Sequence, residues 1–399
     1  MHHVIIMGSR GYTKGYGGWE TLVHGMLDNW TDKNTKFYVT EVTADRSEPE
    51  YETVNGIEVI RVYIKKTGGT QMLFANAKVL RNLKRYIKKF NMTDPILYVL
   101  GPRVGTLFFL KRPFFKRHRV TVVKNSDGDG LSRGKYSKLQ KLYLKYDGKM
   151  FNKYVMDYLV SDAKEMERIT LERTGKRRPL DKRVIYYGTN EAPVLPAEMP
   201  PHVKEFFDRF GIREDKYYLI INRFVPENSY EMILSQFIES DTDCDFIVVT
   251  NQEKEKAFYE RLRAAVPFEA DKRVKFTGTV YDKDILMILR QNARGYINGH
   301  TCGGTNPGLL EALATTDVNL VRDCVFSREG ADDTAFYFDA DHPLKDLIAK
   351  VDAMPKEERK ALGDRAKERM RTQFSWQYVD SQYIELFDDI ERNRKDKRK

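Results

Sequence analysis

Residues 299–314 read GHTCGGTNPGLLEALA and join a short strand, a glycine-rich turn and a helix without a break. Gly303 and Gly304 allow the backbone to turn tightly. Either Thr305 or Asn306 can then cap a helix that has a proline near its first position. Because a helix start presents unpaired N–H groups and the positive end of the helix dipole, this stretch predicts a phosphate site.

Glu311 lies about one helical turn further along and can accept hydrogen bonds from a sugar hydroxyl group. The alternative is an ordinary strand-to-helix turn of an α/β domain with a glutamate on its surface. The strand before the turn is one of five that alternate with helical patterns in this half of the chain, at 217–222, 246–250, 274–276, 295–298 and 319–321. Such alternation predicts a parallel sheet.

The first half of the chain alternates in the same way. A strand over 4–7 leads into the loop GSRGYTKGYGG, which includes Gly17 and Gly18, and then into an amphipathic helix over 19–30. We expect further strands at 37–42, 96–100, 120–123, 158–160 and 184–186, a hairpin turn at Asn55-Gly56, and helices over 72–90, 136–156 and 163–173. Both halves are therefore predicted to be doubly wound α/β domains.

A stretch rich in proline, residues 188–201, separates the two halves and is typical of a stiff linker. We predict an N-terminal domain over 1–190 and a C-terminal domain over 191–375. The remaining segment, 376–399, should begin with a helix that returns to the first domain. It ends in the basic tail RNRKDKRK (392–399), which we expect to be solvated and frayed.

Composition limits the classes of protein to consider. The sequence has 399 residues, three scattered cysteines and no stretch approaching 18 consecutive apolar residues, and it begins directly with a strand. These features favour a cytoplasmic protein without a membrane span. The net charge of +10 calls for an anionic partner, which is a nucleic acid, a membrane surface or a phosphorylated small molecule. No nucleic-acid-binding motif accompanies the charge.

The basic segment KRPFFKRHR (111–119) has two interpretations. Exposed phenylalanines beside lysine and arginine suit contact with an anionic membrane surface. In the other interpretation the segment is a surface connection whose rings point inward.

Two further positions carry candidate chemistry. Asp127 follows a buried strand, where ligands bind in open α/β sheets, and could position or deprotonate a hydroxyl group. The pair Asp127 and Asp129 also suits a metal ion, but the series of ligands typical of a calcium loop does not follow, so we predict no metal site. Arg223 ends the first strand of the second half, where a guanidinium group could bind a diphosphate.

Several segments together resemble glycosyltransferases of the GT-B fold, family 4. IINRFVPENSYEMILSQF, VKFTGTVYDKDIL and GGTNPGLLEALA are similar to its diphosphate, nucleobase and phosphate–ribose segments. MGSRGYTKGYGGWETLV and NSDGDGLSRGKYS resemble bacterial rhamnosyltransferases of capsule and cell-wall polysaccharide assembly. The resemblance implies two Rossmann-like domains that face a central cleft, with acceptor binding in the first and donor binding in the second.

The resemblance also implies the roles of individual residues. Asp127 and Arg223 would be catalytic, and the donor would be bound by Gly17, Gly18, Asn228, Gly304, Thr305, Asn306 and Glu311. Two positions depart from the family pattern, since Gly303 replaces its first glutamate and Asn228 replaces its lysine. His300 or Lys14 could supply the missing cation.

The implied activity is a retaining, metal-independent transfer of L-rhamnose from dTDP-rhamnose to a sugar linked through diphosphate to a polyprenol. No cofactor is implied, because the nucleotide sugar is a substrate. The acceptor implies association with the inner face of the plasma membrane. The alternatives are a hexosyl- or N-acetylhexosaminyltransferase that uses a UDP-sugar, and a protein that binds a nucleotide sugar without turnover.

Overall fold

A computed structural model describes residues 1–14, 17–65, 71–101, 104–128, 137–174, 179, 181–196 and 198–396. The chain divides into two compact units. Unit 1 consists of Met1–Gly188, Gly303–Thr305 and Trp376–Lys399. Unit 2 consists of Thr189–Cys302 and Asn306–Ser375.

Unit 1 contains a sheet of eight strands in the order β3-β4-β2-β1-β5-β6-β7-β8. The strands are β1 (His2–Met7), β2 (Thr35–Thr43), β3 (Tyr51–Val54), β4 (Ile57–Tyr63), β5 (Ile96–Leu100), β6 (Thr121–Ser126), β7 (Tyr158–Ser161) and β8 (Asp181–Val184). All neighbours are parallel except β3 and β4, which form the predicted hairpin. Its turn has φ 50° at Asn55 and φ 80° at Gly56, as the Asn-Gly pair predicts.

Seven helices are described in unit 1. They are α1 (Gly18–Asn29), α2 (Gln71–Lys89), α3 (Gly105–Leu110), α4 (Arg112–Arg117), α5 (Lys138–Tyr154), α6 (Lys164–Thr174) and, at the end of the chain, α15 (Trp376–Asp396). A central strand such as β5, ILYVL, is buried at every residue, which is why it reads as a continuous apolar run.

Unit 2 contains a parallel sheet of six strands in the order β11-β10-β9-β12-β13-β14. The strands are β9 (Tyr217–Ile221), β10 (Asp245–Val249), β11 (Val274–Gly278), β12 (Gly295–Asn298), β13 (Asn319–Arg322) and β14 (Phe336–Phe338). Its helices are α7 (Pro201–Phe210), α8 (Tyr230–Ile238), α9 (Lys256–Ala265), α10 (Lys283–Gln291), α11 (Pro307–Thr315), α12 (Val325–Ala331), α13 (Leu344–Ala353) and α14 (Lys356–Gln373). The prediction of two doubly wound parallel sheets is confirmed.

The predicted strands differ from the observed ones at two sheet edges. β8 covers Asp181–Val184 rather than 184–186, and β14 was not predicted. Both are the last strands of their sheets. An edge strand tolerates charged residues and can be very short, so it lacks the apolar pattern by which central strands are recognised.

Of the two interpretations of 111–119, the structure supports the one with inward-pointing rings, and the expectation of a frayed tail is wrong for the described part of the tail. The ring of Phe115 in α4 is buried and that of Phe114 packs against the core, so exposed phenylalanines are not available there. The C-terminal tail is helical as far as Asp396. Arg394 anchors it by donating to the carbonyl oxygen of Asp94 at 2.6 Å and to Oγ1 of Thr121. Residues 397–399 lie outside the described residues.

Candidate functional site

Each sheet has one place where the strand order reverses. In unit 2 it lies between β9 and β12, because β10 and β11 continue on one side and β13 and β14 on the other. Ligands of open α/β sheets bind outside the carboxyl ends of the strands at such a point. Arg223 follows β9, and the turn from Gly299 onward follows β12, so both candidate segments start there.

Arg223 is exposed at this position. Within the described ranges its guanidinium group has no hydrogen-bond or ion-pair partner, in contrast to Arg290 and Arg273, which are paired with carboxylates. An exposed guanidinium group with free donors is suited to an anionic ligand. The structure therefore leaves Arg223 available for the predicted role.

Asn228, which replaces the family lysine, is buried and connects two loops. Its amide nitrogen donates to the carbonyl oxygen of Arg223 at 2.6 Å, and its Oδ1 lies 2.8 Å from Nδ1 of His300. A Cβ atom at Gly299 would lie 2.1 Å from the carbonyl oxygen of Asn228. The position thus fixes the backbone beside Arg223, and direct contact of Asn228 with a donor stays a prediction.

The N–H groups at the start of α11 were expected to be unpaired, and the structure shows partners for several of them. Asn306 is the cap, as predicted, and its Oδ1 accepts hydrogen bonds from the N–H groups of Gly308 at 3.0 Å and Leu309 at 3.3 Å. Pro307 has no N–H group, and the N–H group of Thr305 donates to Asp162 Oδ2 at 2.9 Å. The expectation of several unpaired N–H groups here is wrong, because neighbouring side chains already satisfy them.

Glu311 lies on α11 and is held by an arginine that sequence reasoning missed. Nη2 of Arg290, on α10, donates to Oε2 of Glu311 at 2.5 Å. Arg290 is buried, whereas the Glu311 carboxylate is about half exposed. The ion pair orients the carboxylate and leaves its other oxygen atom for a ligand hydroxyl group.

In unit 1 two aspartates follow neighbouring parallel strands. Asp127 comes directly after β6 and Asp162 directly after β7. The phenol of Tyr187 donates to Oδ2 of Asp127 at 2.5 Å. A Cβ atom at Gly18, the first residue of α1, would lie 3.5 Å from the same oxygen atom. These contacts place Asp127 at the carboxyl edge of the sheet beside the glycine loop.

Asp162 is fully buried. Burial, the charge of Asp127 and a hydrogen bond with the Asp127 side chain raise the pKa of Asp162 well above its ordinary value. Two carboxyl groups this close disfavour each other's negative charge, so Asp127 adds to the effect of burial on the pKa of Asp162. Sequence reasoning missed Asp162, although both strands end with the same Ser-Asp pair.

The Gly303–Thr305 segment, which belongs to unit 1, is built around Asp162. A Cβ atom at Gly304 would lie 1.9 Å from Asp162 Oδ2, so only glycine fits. Oγ1 of Thr305 donates to the Asp162 carbonyl oxygen. Gly303 has φ 106°, a conformation that L-residues rarely adopt. The backbone conformation of the segment therefore disfavours the family glutamate at Gly303.

The glycine loop after β1 is held by carboxylates. Oε1 of Glu20 accepts a hydrogen bond from the N–H group of Arg10 at 2.7 Å, and a Cβ atom at Gly17 would lie 2.5 Å from Oε2 of Glu20. Lys14 forms an ion pair with Glu48. Gly15 of this loop lies outside the described residues, as does Asp129, for which the sequence predicts no metal site. Among the described residues, the side chains of His202, Asp282 and Asp284 lie close enough together to share a metal ion, and all three are exposed.

Comparison with known proteins identifies the fold. Residues 1–190 match a protein family described as a domain of unknown function, DUF1972. A sucrose-phosphate synthase from Thermosynechococcus elongatus has a similar structure, with a TM-score of 0.76, 15% sequence identity and coverage of 98% of this chain and 99% of that chain. The architecture is therefore the GT-B fold, as predicted.

Two further structures extend the comparison. A glycosyltransferase from Rickettsia africae has a TM-score of 0.73 and 12% identity over 98% of this chain and 99% of that chain. HepE from Anabaena, in complex with UDP, has a TM-score of 0.68 and 13% identity over 98% and 100%. A search of curated protein sequences found no match. None of the described helices is both long and apolar enough to cross a membrane.

Proposed function

We propose that this protein is a retaining glycosyltransferase that works without a metal ion and takes its sugar from a nucleoside diphosphate. The observation that carries the proposal is the exposed Arg223, which has no partner among the described residues, at the point where the strand order of unit 2 reverses. A diphosphate leaving group gains negative charge as the glycosidic bond breaks, and a guanidinium group stabilises that charge. The GT-B fold, shared with glycosyltransferases of known structure, supports this class of reaction.

Within this proposal each described residue has a defined part. Arg223 binds the diphosphate, and Glu311, held by Arg290, binds the ribose. The N–H groups of Gly308 and Leu309 at the start of α11 are occupied by the cap, so this helix contributes through its dipole and not through hydrogen bonds from these two groups. Asp127 orients the acceptor hydroxyl group or stabilises positive charge on the sugar.

The proposed donor is dTDP-rhamnose, and the proposed acceptor is a sugar linked through diphosphate to a polyprenol in polysaccharide synthesis. The similarity of the first-half segments to rhamnosyltransferases supports this choice. The acceptor is the reason for proposing a peripheral position at an anionic membrane. A UDP-sugar is the second candidate donor, because similar structures of HepE contain UDP and UDP-glucose.

Hydrolysis of candidate donors by the purified protein, with and without EDTA, tests the reaction class. We expect release of nucleoside diphosphate that EDTA does not inhibit. Arg223→Ala should lower kcat/KM by about 100-fold, whereas Arg213→Ala, a matched exposed arginine of unit 2, should leave it unchanged. Tight nucleotide binding without hydrolysis of any donor would instead indicate a non-catalytic binding protein.

A further inference from the structure

Helix α5 presents an apolar stripe to solvent. Leu139, Leu142, Tyr143 and Tyr146 are 77%, 64%, 43% and 58% exposed, respectively. Their spacing of i, i+3, i+4 and i+7 puts them on one side of the helix. We call these four residues the α5 face. Contiguous exposed apolar side chains are uncommon on a soluble protein and mark contact surfaces.

The opposite side of α5 is already used by the fold. Phe151 is buried and its ring meets that of Phe108 in α3 edge to face, with the centroids 4.8 Å apart. A Cβ atom at Gly105 would lie 2.2 Å from the carbonyl oxygen of Asp147. At its start the helix has a capping box formed by Ser137 and Gln140. The α5 face is thus the outer side of a firmly anchored helix.

Helices α3, α4 and α5 are strongly basic, whereas α6, which also packs against α5, carries Glu165, Glu167 and Glu172. Within α3, α4 and α5 the only carboxylate is that of Asp147, which is buried. The same helices and the residue between α3 and α4 contain nine cationic side chains: Lys111, Arg112, Lys116, Arg117, Lys138, Lys141, Lys145, Lys149 and Lys153. The lysines of α5 repeat every three or four residues, so they form a row beside the apolar stripe.

We propose that the α5 face and its row of lysines bind the protein to an anionic lipid bilayer. Leucine side chains and tyrosine rings enter the boundary between headgroups and acyl chains, while lysines meet the lipid charge. Exposed leucines do not contribute to phosphate binding, so nucleic acid fits this surface less well. The α4 segment supplies charge alone, because its phenylalanines face inward.

This surface is the membrane contact that the proposed function requires. The biological role of the contact rests on the proposed function, whereas the binding itself does not. Its binding is measurable without turnover. Co-sedimentation with vesicles of phosphatidylcholine containing about one third phosphatidylglycerol should capture the full-length protein, and vesicles of phosphatidylcholine alone should capture much less. Added salt should weaken the capture, because it screens the lysines.

The apolar contribution is tested by the triple variant Leu139→Ser, Leu142→Ser, Tyr146→Ser, whose net charge is unchanged. We expect its vesicle affinity to fall by about tenfold or more. The matched control is Val194→Ser with Tyr281→Ser, which removes two exposed apolar side chains of unit 2 and should bind as the parent does. Circular dichroism verifies that each variant is folded.

The charge contribution is tested by Lys138→Gln, Lys141→Gln, Lys145→Gln. The control Lys254→Gln, Lys256→Gln, Lys272→Gln loses the same charge from exposed positions in unit 2. Only the first set should weaken vesicle binding and its dependence on salt. Equal effects of both sets would mean that vesicle binding depends on the net charge of the protein and not on the lysines of α5. That result would overturn the proposal.

Two other results would overturn the proposal. Vesicle binding that is unchanged in the triple serine variant would exclude the α5 face. A dimer that dissociates in this variant, without vesicle binding by the parent, would assign the face to a second copy of the chain. Donor hydrolysis without vesicles is a separate readout. If it persists in variants that do not bind vesicles, the proposed reaction stands independently of the surface.

Discussion

Asp380 of α15 is a buried carboxyl group, and neither of its oxygen atoms has a hydrogen-bond partner among the described residues. Burial raises its pKa from 3.8 to about 8. A carboxyl group whose pKa is higher in the folded state takes up a proton on folding. Its contribution to stability is therefore complete below about pH 4 and is lost as the pH rises through about 8.

We expect Asp380→Asn to raise the free energy of unfolding at pH 8 by about 5 kcal/mol and to leave it nearly unchanged at about pH 4. Urea unfolding at the two pH values measures the difference. Glu385→Gln, at an exposed position of the same helix, is the control and should show no such dependence on pH. A gain of equal size at both pH values would mean that the charge of Asp380 is not responsible.

Gly303 provides a second test at the scale of single residues. Because its φ is 106°, Gly303→Ala should lower the free energy of unfolding by about 1–2 kcal/mol, and Gly303→Glu should not improve donor hydrolysis. Thermal unfolding and the hydrolysis assay measure these effects. Higher activity of Gly303→Glu would show that the backbone can accept a glutamate here and that its absence lowers the activity of the protein.

The candidate site residues found from the sequence include exposed, charged side chains, whereas the buried residues that contact the candidate segments were missed. Arg223 and Glu311 have a recognisable place beside a strand or helix start. Asp162 contacts Thr305, which lies far away in the sequence. Arg290 contacts Glu311, which lies on another helix. Such partners become visible only when the order of the strands and helices in space is known.

At the scale of elements, two variants of the α11 cap residue distinguish its effect on stability from its effect on ligand binding. Asn306→Ala removes the acceptor of two N–H groups and should cost about 1 kcal/mol of stability. Asn306→Asp keeps the cap and places a negative charge at the helix start, so stability should be retained while affinity for a nucleoside diphosphate falls. Thermal unfolding and calorimetric titration of the two variants measure this. Unchanged affinity in the Asp variant would place the diphosphate elsewhere.

Elements in the middle of each sheet were predictable because their residues are buried on both faces. β5 and β12 are buried throughout and were predicted with the observed bounds. β8 and β14 lie at sheet edges, where the apolar pattern fades. In α4 the spacing of residues did not reveal the inward orientation of Phe115, because a short helix with two adjacent phenylalanines allows either face to be buried.

For the whole molecule, the end of the chain is part of unit 1. Trp376 is buried, and Cβ atoms at Gly25 and Gly188 would lie 1.8 and 2.4 Å from its ring. Tyr383 of the same helix lies 2.7 Å from the phenol oxygen of Tyr98 in β5. Helix α15 therefore completes the core of a unit whose described strands, β1 to β8, all come from the first half of the chain.

We expect Trp376→Ala to cost about 3–5 kcal/mol, because it leaves a large cavity. Hydrogen exchange should rise in the strands β1 and β5 of unit 1 and stay unchanged in β9 and β12 of unit 2. Gln377→Ala, at the next and exposed position, is the control. Equal loss of protection in both sheets would contradict the division into two compact units.

The most direct test of the central proposal is sugar transfer by the purified protein to a synthetic polyprenyl-diphospho-sugar acceptor, with dTDP-rhamnose and the common UDP-sugars offered separately and with EDTA present. We predict transfer from dTDP-rhamnose alone, with the anomeric configuration of the donor retained in the product. Transfer only from a UDP-sugar would contradict the choice of sugar and keep the reaction class. No transfer from any donor, despite nucleotide binding, would contradict the proposal that this GT-B protein is an enzyme.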